Sequence, residues 1–281
     1  MAGTRSATLA QTTFVTGFWP VAGNTKYPAG HYDRTLARTM AMLRGGRLMA
    51  FYELPETAET FTRLAARHGI ALELRYLALE ALPSWPASAG LLRACEATDI
   101  DYWEGTEHAS AEKCIVHYRR DLQRSGPEVY RRLAAIWTGR FGLMRAHVIP
   151  ENPFGTDWFC WVDASLSRVN RLRANWDFTR VAYDDPSVLH HYGHAMIYRG
   201  ERLRISGGFG CATAPLWEKV GRLFDARLEA AGEEAYGHDD ETLLHDVLTA
   251  NPELFRSLGG LHGLRRRTWA KRWMRVWPGR F

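Results

Sequence analysis

Two hydrophobic periods take turns along the first half of the chain. Thr12-Thr13-Phe14-Val15-Thr16-Gly17-Phe18 is β-branched and aromatic and predicts a strand. After the Gly/Pro/Asn stretch 20–30, Leu36, Met40 and Leu43 fall on one helical face, predicting a helix over about 33–44 that Gly45-Gly46 stops. Residues 47–52 predict a second strand. Pro55 opens a second helix with Phe61, Leu64, Ala65 and His68 as its stripe, Gly69 closes it, and 70–77 predict a third strand. Such alternation predicts a mostly parallel sheet flanked by helices, the α/β class.

Further along, residues 82–88, with Pro83, Trp85 and Pro86, read as a loop, and 111–123 and 127–146 as helices. Trp158-Phe159-Cys160-Trp161-Val162 is a continuous apolar run that ends in Asp163 and then in the small Ala164 and Ser165. It predicts a buried strand that delivers one carboxylate to the rim of the sheet, where ligands bind. Residues 195–198 and 203–209 predict strands, 214–231 a helix capped by Thr213, and 240–250 a helix with acids in its first turn. The simplest account is one domain over 1–263, with halves 1–165 and 166–263, and a C-terminal helical extension over 264–281.

Composition narrows the setting. No window approaches eighteen consecutive apolar residues, and Met1 to Gln11 lacks an apolar stretch, so neither a membrane span nor a secretory signal is expected. Cys95, Cys114, Cys160 and Cys211 are far apart without CxxC spacing, which argues against a zinc cage or a disulfide scaffold. Four buried or free thiols in a reducing cytosol are expected, hence a cytoplasmic protein. The net charge of +5 is concentrated in Arg265, Arg266, Arg267, Lys271, Arg272, Arg275 and Arg280, so a nucleic-acid partner is not expected. Trp269, Trp273 and Trp277 recur every four residues among those charges, as suits either peripheral contact with an anionic membrane or packing on the core.

Thr13-Phe14-Val15-Thr16 and Trp161-Val162-Asp163-Ala164, in this order of elements, resemble the HtrL/YibB-like bacterial family assigned to the GT-A (Rossmann-like) glycosyltransferases. The likeness in element order spans most of the chain; the matching motifs are short. It implies transfer of a sugar from a nucleotide-diphosphate donor to a hydroxyl on a glycan, a lipid-linked sugar or a small molecule. Thr16, Phe18 and Tyr52 would line the nucleotide pocket, Arg140 would neutralise the diphosphate, and Asp163, beside Ser165, would hold Mn²⁺ or Mg²⁺ or the donor sugar. The family pattern has two carboxylates where this chain has Asp163-Ala164-Ser165.

Gly207 and Gly208 would border the donor sugar, since glycines let backbone approach a ligand. In His238-Asp239-Asp240-Glu241, Asp240 or Asp239 would deprotonate the acceptor, with Glu241 elsewhere on the turn. His262, followed by Arg265 to Arg267 and Trp269, loosely resembles the late segment of glycogenin-like transferases, implying a metal role for His262 and phosphate contacts for Arg266 and Arg267. Two other classes remain open: a non-catalytic nucleotide- or sugar-binding protein, and a peripheral membrane protein acting through the tail. HHxxH at 190–194 lacks the zincin glutamate, and no Gly-x-Ser-x-Gly elbow supports a hydrolase.

Overall fold

β1 (Thr12–Phe18) buries its first five residues, as a β-branched strand covered on both faces should. The computed structural model describes residues 11–27, 30–98, 115–168, 178–181, 183–194, 196–198 and 201–260. α1 (His31–Ala41), β2 (Arg47–Tyr52), α2 (Pro55–His68) and β3 (Ala71–Tyr76) follow in the alternation that the sequence predicts. Gly69 closes α2 in the left-handed region, at φ 63°, donating to the Ala65 and Ala66 carbonyls.

The stretch read as a loop instead starts a helix, α3 (Trp85–Glu96). Pro86 lies in its first turn, where a missing N–H costs nothing, and Leu91, Ala94 and Cys95 are buried. After α4 (Ile115–Ser125), the helix expected over 127–146 is broken. It runs as α5 (Pro127–Thr138), α6 (Arg140–Leu143), a π-helical turn at Met144–Val148, and α7 (Ile149–Glu151). At the break, Ser84 donates to the Ala135 carbonyl at 2.6 Å, and a Cβ on Gly139 would come within 3.2 Å of that hydroxyl.

β4 (Trp158–Val162) is buried throughout. β5 (Leu189–Gly193), the short pair β6 (Ile197–Tyr198) and β7 (Glu201–Arg202), β8 (Phe209–Thr213), α8 (Ala214–Ala231), α9 (Asp240–Ala250) and β9 (Phe255–Gly260) complete the described residues. The strand expected over 203–209 is displaced: the chain turns at Gly207-Gly208 and the ladder begins at Phe209. β5 and β9 go unpredicted because neither carries an apolar run: Leu-His-His-Tyr-Gly buries two histidines, and Phe-Arg-Ser-Leu-Gly-Gly is an exposed edge.

The seven strands lie in the order β3-β2-β1-β4-β8-β5-β9. β1, β2, β3 and β4 are parallel neighbours, β8 runs against β4 and β5, and β5 and β9 are parallel. Helices cover both faces. Phe14, Leu48 and Cys160 pack with α1 and α2 on one side, and Val15, Phe159 and Trp161 with α3, α8 and α9 on the other. One lip of the sheet therefore collects the C-terminal ends of six strands and the start of β8.

The cysteine expectation is corrected. Cys160 and Cys211 face each other in the β4–β8 register and form a disulfide, 51 residues apart in sequence. Linear spacing hides a pair that only a sheet register creates. Cys95 is buried and takes no part in a disulfide. Among the described residues no helix is long and apolar enough to cross a membrane. The predicted tail helix, its tryptophans included, lies outside the described residues.

Candidate functional site

Asp163 leaves the end of β4, the middle strand, and its amide donates to the Gly208 carbonyl at 2.9 Å. The half-buried carboxylate bends the chain: Oδ1 accepts from the Ser165 amide at 2.6 Å and from its hydroxyl at 2.7 Å. A 3-10 turn, Leu166–Arg168, then returns Arg168 to donate to Ser165 Oγ at 2.8 Å. Ser167 fixes this turn on α1 through the Thr35 carbonyl (2.8 Å) and the Thr39 hydroxyl (3.1 Å). Burial alone would lower the Arg168 pKa; the Asp163 carboxylate, helped by Tyr27 and Glu241, raises it instead.

Beside this pair stand aromatic rings from the end of β1, the β1–α1 loop and the first turn of α1. Tyr27 stacks on His31 at 4.2 Å, Tyr32 meets Tyr27 edge-on at 5.7 Å, and Phe18 lies 6.3 Å from Tyr32. Burial raises the Tyr32 pKa, opposed by Asn24 and Arg168. Phe18 thus reaches the Asp163 neighbourhood. Tyr52, on β2 two strands from β4, pairs with Tyr76 on the neighbouring β3, rings 6.1 Å apart. Thr16 is inside β1, buried, its hydroxyl without a hydrogen-bond partner among the described residues, so it lines the core and not an open pocket.

The glycine turn is gripped from both sides by the first turn of α9. Glu241 Oε1 accepts from the Gly207 amide at 2.9 Å and from the Ser206 hydroxyl at 3.1 Å. Arg140 donates to the Gly207 carbonyl and, at 2.6 Å, to Asp240 Oδ2. His194 accepts the Met196 amide on Nδ1, so Nε2 carries the hydrogen and faces Glu241 Oε2 at 3.6 Å. A Cβ on Gly207 would fall 1.9 Å from Asp240 Oδ2, and one on Gly208 2.5 Å from Leu166 Cδ1.

Three expected roles change with this geometry. Arg140 is 3% exposed and held beneath the turn, so it positions the turn and does not meet a diphosphate at the surface. Asp239 is the N-cap of α9, accepting from the Glu241 and Thr242 amides at 3.1 Å, and serves the helix, not an acceptor hydroxyl. Asp240, expected as the base, is half-buried and ion-paired with Arg140. Its neighbour His238 is turned to Glu234 at 2.8 Å. The structure brings together Asp163, Ser165, Gly207, Gly208, Arg140, Asp240 and Glu241; His262, Arg266 and Arg267 lie outside the described residues.

Sequence reasoning missed Arg168, Tyr27 and Tyr32, and it set His194 aside with the HHxxH run. Only Arg168 carries a local signal, three residues after Ser165 in a Ser-rich turn. Among the described residues no group of three His, Cys, Asp or Glu could hold a metal. Two clefts open away from Asp163. One of about 600 Å³ runs between α3, α8 and the π-helical turn, and one of about 420 Å³ lies over β5 and β9. Comparison with models of known protein families gives no match, and neither does a search of curated proteins.

Proposed function

We propose that this chain is a GT-A-like glycosyltransferase acting on a nucleotide-diphosphate sugar. The observation that carries this reading is the Asp163 carboxylate at the end of the central strand, with Arg168 on one side and the gripped glycine turn on the other. Open sheets bind ligands at this lip. Asp163 Oδ1 is engaged by Ser165; in this reading Oδ2 meets hydroxyls of the donor ribose or sugar. The acceptor hydroxyl attacks the anomeric carbon and gives up its proton to water as the bond to the diphosphate breaks. Negative charge then grows on the leaving phosphate, where Arg168 offers a fork suited to it.

Among the described residues no three donors converge at this lip, Asp240 and Glu241 being engaged by Arg140 and Gly207, a poor fit for a bare Mn²⁺ or Mg²⁺ cage. Asp163 is therefore assigned to sugar hydroxyls. Asp240 and Glu241 position the turn. That engagement of the late acids also favours a second reading, a binder of the same fold without turnover.

Purified full-length chain, incubated with UDP-, GDP- and dTDP-sugars in Mn²⁺ or in EDTA, separates the two. An enzyme releases nucleoside diphosphate slowly without acceptor, and Asp163→Asn lowers that release at least about 100-fold, the scale of one lost transition-state contact. A donor-dependent rise in melting temperature without release identifies the binder. Neither response from any donor overturns both.

A further inference from the structure

β3 closes one end of the sheet, and among the described residues no strand pairs with its outer side. Its ladder with β2 runs from Ala71 to Tyr76 without a shift of register. The Ala71 amide donates to the Gly46 carbonyl at 2.9 Å, and the Leu77 amide to the Tyr52 carbonyl at 2.8 Å. In a parallel ladder alternate residues turn both backbone groups to one neighbour, so Glu73 and Arg75 keep step with Ala71 and bond β2. The amides and carbonyls of Leu72, Leu74 and Tyr76 therefore point outward. Arg75 lies along this edge. Its Nη1 donates to the outward Leu74 carbonyl at 3.1 Å, which keeps its second lone pair, and the guanidinium also pairs with Glu73 and, at 2.5 Å, with Glu151.

Exposed sheet edges are usually blunted by bulges, by proline or by irregular backbone. The far edge is blunted in this way: β9 shifts register against β5, and Gly259 sits at φ 118°. β3 is regular, and Ala-Leu-Glu-Leu-Arg-Tyr contains neither proline nor glycine. Its two charges are opposite in sign and two residues apart, on one face. On the other face Leu72 and Leu74 pack against the core, and Tyr76 is 65% exposed.

We propose that this edge pairs with the same edge of a second copy of the chain, antiparallel about a two-fold axis at Leu74. A two-fold partner runs antiparallel, and outward-bonding residues must meet outward-bonding residues. With the axis at Leu74, Leu74 faces its own copy and Leu72 faces Tyr76 of the second copy, for about six hydrogen bonds. Glu73 then stands opposite Arg75 of the second copy, twice, at the closer positions of the ladder. The Tyr76 ring falls beside Leu72 of the second copy. Moving the axis to residue 73 sets Glu73 against Glu73, and moving it to residue 75 sets Arg75 against Arg75, so charge selects one register. The two sheets become one with their lips at opposite ends, and the pairing stands apart from the transferase reading.

Sedimentation velocity of the full chain tests this. Six paired residues make a small interface, so the expected dissociation constant is about 10–100 μM. Glu73→Arg and Arg75→Glu, each checked for folding by circular dichroism, oppose like charges and weaken self-association at least about tenfold. Mixed one to one, the two variants restore both opposite-charge pairs, and the mixture dimerises within about threefold of the unsubstituted chain. Without any substitution, amide hydrogen exchange at Leu72, Leu74 and Tyr76 slows as the concentration rises through that range, while exchange at Glu73 and Arg75 holds steady. An unsubstituted chain still monomeric at about 200 μM, exchange at the three outward amides indifferent to concentration, or folded variants that stay apart when mixed overturns the proposal.

Discussion

Glu241 accepts the amide hydrogen of Gly207 at 2.9 Å, while the carbonyl of the same glycine accepts from Arg140. Both polar groups of one peptide residue are therefore answered by α9, one directly and one through the Arg140–Asp240 pair. Glu241→Ala leaves the Ser206 hydroxyl and the Gly207 amide without this acceptor, at about 1–3 kcal/mol for each buried donor. Urea unfolding is expected to show a loss of that order, and Glu241→Gln, which keeps an acceptor oxygen, a smaller one.

Arg140→Met strands a largely buried carboxylate on Asp240, and the expected cost is about 3–5 kcal/mol. Adding Asp240→Leu removes the stranded charge and should recover part of the stability. A double-mutant cycle on unfolding free energies checks this, and additive losses would show that the pair is not coupled.

Gly207→Ala tests space, not backbone freedom, because Gly207 is not among the positive-φ glycines. The added methyl meets Asp240 Oδ2 and displaces it from Arg140. Donor affinity or turnover is expected to fall at least about tenfold, the effect of about 1.4 kcal/mol at the site.

Treating unreduced, denatured protein with iodoacetamide should label Cys95 and leave Cys160 and Cys211 unlabelled until reductant is added. Cys160→Ser/Cys211→Ser opens a loop of 51 residues, and chain entropy sets the loss at about 4 kcal/mol. Equal labelling of both cysteines before reduction would refute the bond.

His191 titrates near 6.5 when unfolded and at about 4 when folded, burial being the cause. The folded state therefore binds fewer protons between these values. Its contribution is full above pH 6.5 and is lost as pH falls toward 4, up to about 3 kcal/mol. The pKa values of His190 and His238 are also lowered by burial and act in the same sense. Melting temperature is expected to drop over this acid range, and His191→Phe should flatten the profile.

Much of this was legible in the chain because local chemistry sufficed. The β-branched run at 12–18, the glycine stop at Gly69 and the acids opening α9 each act within a few residues of themselves. Asp163 and Gly207-Gly208 were visible as a carboxylate and glycines at strand ends, and the fold sets them side by side. What escaped depends on distant partners. Arg140 reads as a free cation until Asp240, a hundred residues on, takes its guanidinium. The histidines of β5 conceal a strand, and the Cys160–Cys211 pair exists only because β8 is reversed.

That reversal also sets an order of assembly. A chain still emerging from the ribosome has Asp163 on its strand long before the Gly207 turn that bonds its amide, and the turn itself waits for residues 240 and 241 to arrive. Chains cut anywhere before α9 are expected to keep β1 to β4 yet lack the gripped glycine turn, so the shape of this lip waits on a segment about eighty residues further along the chain.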